Sequence, residues 1–182
     1  MKKINSVLTI ITTLILVDHL SAMSMFFLTG SLNLSVTKII ARALCSIVAL
    51  HALLSIISVF FMHDGAKIGP YKMQNKNTII QRATSIVIAI MLHPHVKAFG
   101  FLINKQPITT PAKIMVIVTE IIFFGAILLH LSVSFSKALI TLGIIRTEKA
   151  EKIVNRVVKI LCIALTVFSC ASLVFCIVNW RV

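Results

Sequence analysis

Five long apolar runs, at 6–28, 36–62, 78–97, 112–143 and 153–179, take up most of this 182-residue chain. A helix needs roughly 20 apolar residues to cross the hydrocarbon core of a bilayer, and each run supplies about that many or more. In lipid, backbone amides find no water, so such runs have one conformation open to them, the transmembrane helix. The expected fold is therefore an all-α membrane protein, a single integral membrane domain over 1–182. The third run is the weakest, with Arg82 and Thr84 in its first turns. The fourth exceeds one hydrocarbon thickness; it is expected to leave lipid near Lys137 and to end at Gly143, a natural helix C-cap.

The breaks between runs are equally legible. "TGSLNLS" (29–35) reads as a short turn, "HDGAKIGPYKMQNKN" (63–77) and "INKQPITTPAK" (103–113) as loops, and "RTEKAEK" (146–152) as a charged connector. With 58% hydrophobic residues, no stretch is polar enough for a separate soluble catalytic domain. The 18 Lys and Arg against 5 Asp and Glu would suggest nucleic acid in a soluble protein. Here most of the basic residues fall between the apolar runs, so membrane topology explains them and no nucleic-acid partner is expected. With the N-terminus inside, twelve basic residues lie on the inner side and six (Lys38, Arg42, Lys97, Lys105, Lys113, Arg181) on the outer. That bias predicts a multi-pass protein of the cytoplasmic membrane, N-terminus inside and C-terminus outside. Trp180 would anchor the last span at the interface.

Lys2 and Lys3 before an apolar run resemble a signal peptide, but the run is long and Asp18 and His19 interrupt it, so it is expected to remain a span. Cys45, Cys162, Cys170 and Cys176 all lie in apolar runs without a CxxC pair and read as small buried residues.

The chemistry-bearing feature is the histidines. His63 sits in a loop beside Asp64. His19, His51 and His130 fall on the first, second and fourth spans, and His93 and His95 form a doublet, "LHPH", on the third. Each lies about 21–27 Å along its own helix at 1.5 Å per residue. Alternating helices then place His19 and His93 or His95 toward the outside, and His51 and His130 toward the inside. In an up-down four-helix bundle the helices of each pair are diagonal and face each other across the centre. Two levels of paired imidazoles are the demand of two b-type haems held in a bundle core. Helices 1–4 are accordingly expected to form the bundle around two haems, and helix 5, which has no histidine, to be peripheral. Ser55 and Ser58 share the His51 stripe, and Ser134, Lys137 and Thr141 share that of His130. Small residues there would let a flat ring approach. Lys137 and Arg82 are candidate propionate partners; otherwise each snorkels to the headgroups. A histidine hydrogen-bonded to a neighbouring helix, a proton relay or a metal transporter are the competing readings. The last would bring Asp, Glu, Cys or Met clusters that are not evident.

These residues carry a family resemblance. "HLSVSFSKALITLGI" (130–144) is similar to the helix of the diheme cytochrome b membrane anchors of succinate dehydrogenase and fumarate reductase that bears a ligand histidine. "YKMQNKNTIIQRATS" (71–85) resembles their connector into helix 3, and one histidine on each of the first four spans matches their order. Ser85 and Ser134 stand where that family often has Gly. The resemblance implies that His19 pairs with His93 at the outer haem and His51 with His130 at the inner. His93 is preferred because it shares a face with Arg82 and precedes "FGF" (99–101). Because Pro94 disfavours helix at His93, His95 stays open as the ligand.

The resemblance further implies an electron wire and a quinone dock. Such a chain is not catalytic for succinate or fumarate by itself. It would pass electrons between a quinone, usually menaquinone, and an iron-sulfur subunit with its FAD flavoprotein subunit, docked on the basic inner face. Glu120 and Asp18 are the acids within the spans and hence candidates for proton transfer at an outer quinone site. The alternatives are an anchor for another flavoprotein reductase, or a haem-free transporter or assembly protein that uses the same histidines.

Overall fold

The computed structural model describes residues 2–31, 33–60, 72–103 and 109–179. The loop holding His63 and Asp64, Lys67, Tyr71, Lys105, Trp180 and Arg181 lie outside the described residues. Five helices follow the five apolar runs: α1 (Lys2–Thr29), α2 (Leu34–Phe60), α3 (Lys72–Ile103), α4 (Thr110–Thr141) and α5 (Glu148–Asn179). All five are long and apolar enough to cross a membrane. At 28 to 32 residues, four of them span about 42–48 Å, so their ends reach beyond a hydrocarbon core of about 30 Å.

Local chemistry sets the helix ends. Gly30 ends α1 at φ 72°, and Asn33 starts α2 by accepting the Val36 amide on its side chain at 3.2 Å. Pro111 sits in the first turn of α4, where its missing N–H is not needed. Gly143 (φ 76°) closes α4 as expected: its amide reaches the Ile140 carbonyl at 2.9 Å, and that of Ile144 reaches Leu139 at 3.0 Å. This is a Schellman closure. The connector at 146–152 is mostly helix. Thr147 caps α5 through the Ala150 amide, and Glu148 and Glu151 lie at the positive end of the helix dipole.

α3 runs unbroken through Pro94, against the expectation that the proline would disturb helix at His93. A proline costs the helix one amide bond, and packed transmembrane helices tolerate that loss.

The centre of the molecule is a trio of α1, α4 and α5, each packed on the other two. α3 lies on α4, and α2 on α1. The buried face of α5 is Ser169, Ser172, Leu173, Cys176 and Ile177, spaced as one helical stripe. Ser24 of α1 donates to or accepts from Ser169 at 3.0 Å, a contact that requires small side chains on both helices. The expectation of a peripheral α5 therefore needs correcting. Leu173 and Cys176 are among the most buried side chains of the protein, because small residues rather than histidines decide which helices meet closely. Among the described residues α2 is the least enclosed helix and adds none to either hydrophobic cluster. Large apolar side chains such as Leu14, Ile39, Ile86, Met115 and Leu161 point outward, as a lipid-facing belt would.

Candidate histidine sites at two levels

The described residues hold two separate histidine sites, one toward each end of the helices. α3 and α4 run antiparallel and clamp each other's histidine. At one end His95 of α3 donates from Nδ1 to Glu120 Oε2 of α4 at 2.7 Å. Its ring stacks on Phe123 with centroids 4.6 Å apart and meets Phe124 edge-on at 6.4 Å. Glu120, Phe123 and Phe124 are one turn apart, so a single face of α4 fixes the ring. At the other end His130 of α4 points Nδ1 at the Gln81 carbonyl (3.2 Å), Thr84 Oγ1 (3.2 Å) and Ser85 Oγ (3.3 Å) of α3. A carbonyl and a carboxylate only accept, so both rings donate from Nδ1. A neutral ring held this way keeps its lone pair on Nε2, the arrangement that second partners impose on metal-ligating histidines.

The other two histidines come from α1 and α2. His19 lines the same cavity as His95, and His51 lies within electrostatic range of His130. Their Nδ1 atoms are buried without a partner among the described residues. Buried polar atoms left unpaired are costly, so they mark places where something is asked of the side chain. The Asn5 backbone lies beside His51, and the Asn5 amide donates to Ser55 at 3.1 Å, tying the start of α1 to α2.

A cavity of about 20 Å3 is lined by His19 and His95 together with Glu120, Leu20, Met23, Phe27, Phe99, Leu102, Phe124 and Leu173. Glu120 is 4% exposed, and its second oxygen, Oε1, is buried without a partner. α1 and α3 keep their described Cα atoms more than 8 Å apart, as do α2 and α4. The facing histidines thus come from helices that do not pack backbone to backbone.

The structure does not bring all the expected residues together. His93 is exposed on the opposite side of α3 from His95, since two residues are about 200° of helix rotation. Asp18 is exposed, although it adjoins His19. Lys137 reaches across to α3, donating to Thr78 Oγ1 (3.0 Å) and Gln81 Oε1 (3.3 Å), with Arg82 near enough for the two charges to repel. Ser134 is 3% exposed and bonds back to the His130 carbonyl at 2.7 Å.

Sequence reasoning passed over Gln81, Thr84, Asn5 and Phe123. Thr84 counted only against the third span; it is buried and meets His130. A polar residue in an apolar run that has an opposite-facing histidine at matching depth was the available signal. Among the described residues no group of three or more His, Cys, Asp or Glu side chains is arranged to hold a metal ion by itself. No protein-family model, curated protein or solved structure matches this chain.

Proposed function

We propose that this chain is the diheme cytochrome b anchor of a quinone-linked flavoprotein complex of the succinate dehydrogenase and fumarate reductase kind. What supports the reading is the placement of His19 and His95 at one cavity and of His51 within electrostatic range of His130. One ring of each pair is fixed through Nδ1 by a carboxylate or a carbonyl, with Nε2 left for a ligand. Two imidazoles per level are what a b-type haem would need. A haem b held at each level would supply reversible one-electron transfer. The cavity at the His19 level is small, so a macrocycle fits there only with side chains such as Met23, Phe27 and Phe99 turned aside.

The chain's own residues then divide the work. His19 and His95 serve the outer centre, His51 and His130 the inner. Lys137, which donates to the neutral Thr78 and Gln81, lies near the inner pair with Arg82 and suits a propionate. The quinone, menaquinone by the resemblance, would dock near the outer level, with Glu120 or Asp18 as the acid that moves a proton. The exposed Lys2, Lys3, Lys76, Lys149 and Lys152 belong to the end expected inside and suit the iron-sulfur subunit and, behind it, the FAD flavoprotein.

A proton relay is the second reading, favoured by the buried Glu120 side chain in hydrogen-bond contact with His95. The two are separated by substitution with a haem stain. His51→Ala or His130→Ala is expected to remove one haem of two and spare the other. Two haems surviving in both variants would rule out the pairing, and a wild-type protein without haem would favour the relay.

A further inference from the structure

We infer that the start of α5 binds one anionic phospholipid, with Arg156 and Lys159 holding its phosphate and the aliphatic stripe beneath them holding an acyl chain. The inference goes beyond the electron-carrier reading and does not rest on it; it needs only a helix that crosses the membrane.

Depth picks out the two cations. Residues 160–179 of α5 are 20 in a row without Asp, Glu, Lys or Arg, enough to fill one hydrocarbon core of about 30 Å. The helix begins 12 residues earlier, at Glu148. Lys159 then lies about 1.5 Å above the core and Arg156 about 6 Å above it, inside a headgroup layer about 5–8 Å thick. Lys152 and Lys149 lie about 12 and 17 Å above the core, in water, where a soluble partner would meet them. Lys152 is also matched by Glu148 at 2.6 Å. Arg156 and Lys159 are exposed, and neither has a carboxylate partner among the described residues.

The face below them is lipid-like in its demands. Arg156 and Lys159 are three positions apart and share one side of the helix. Ile160, Ile163 and Val167 follow Arg156 at i+4, i+7 and i+11 on that side, and all three are exposed. A cationic pair at phosphate depth thus stands over an aliphatic stripe at acyl depth. That combination suits a phospholipid better than a soluble anion. The guanidinium offers a fork of donors to phosphate oxygens, and the ammonium adds a point charge. A headgroup with a net negative charge gains from both cations, whereas a zwitterionic one brings its own cation to the site.

The test is lipid retention by the purified full chain, followed by native mass spectrometry during titration with phosphatidylglycerol or phosphatidylcholine. The unmutated chain should keep one phosphatidylglycerol in preference to phosphatidylcholine. Arg156→Gln combined with Lys159→Gln should weaken phosphatidylglycerol retention by about thirtyfold, or about fivefold per charge, and leave phosphatidylcholine as it was. Lys38→Gln combined with Arg42→Gln removes the same charge from the opposite end of the bundle, on α2, and should change neither. Equal retention of the two lipids by the unmutated chain, no loss in the α5 variant, or the same loss in the α2 variant overturns the inference. Displacement of phosphatidylglycerol by inorganic phosphate also overturns it, since that would mark an anion site with no lipid requirement. If the α5 variant does not accumulate, the unmutated chain carries the test with phosphatidylglycerol bearing a photoreactive acyl chain. Cross-links within residues 160–167 support the inference, and cross-links confined to other helices overturn it.

Discussion

At the scale of single residues the doublet on α3 is the most informative. His93 and His95 lie two positions apart and so face opposite ways, one outward and one toward His19 and Glu120. His95→Ala is therefore expected to abolish the outer haem and His93→Ala to leave the spectrum unchanged; the reverse result would mean that α3 is rotated from its position here. The sequence showed the histidines and their depths, and its reading preferred His93 while leaving His95 open; the structure has His93 exposed and His95 at the cavity. A proline between them made either face plausible, and the deciding partner, Glu120, lies 25 residues away on another helix. The polar clamp on His130 was hidden for the same reason. Gln81, Thr84 and Ser85 look like defects in an apolar run until α4 is laid beside them.

At the scale of helices, the five spans were legible to within a few residues at most ends, because length and apolarity alone define them. Their packing was not. Lipid and protein core are both apolar, so hydropathy cannot tell an outward face from an inward one, and small residues carry the information instead. α5 illustrates this, since Ser169, Ser172 and Cys176 seat it against its neighbours while its other faces stay apolar. Ser24→Leu forces a branched side chain into the α1–α5 seam, where Ser24 is 1% exposed. It should destabilise the protein by about 1–3 kcal/mol in a detergent-denaturation assay. Gly143→Ala meets no neighbouring atom but must adopt φ 76°, which should cost about 1–2 kcal/mol in the same assay.

For the molecule as a whole, the orientation proposed from the charge bias decides which histidine level would face the proposed soluble partners. With the N-terminus inside, a membrane-impermeant maleimide should label Ser31→Cys in intact cells and Lys149→Cys only after permeabilisation. The opposite pattern would exchange the inner and outer sites and move the docking face. All of this rests on the histidine pairs holding iron, and a reduced-minus-oxidised absorption spectrum of the purified protein, with its haem-to-protein ratio, tests that most directly. The account predicts sharp b-type bands at close to two haems per chain. A chain that carries no haem, after expression with ample haem and the partner subunits, would contradict it.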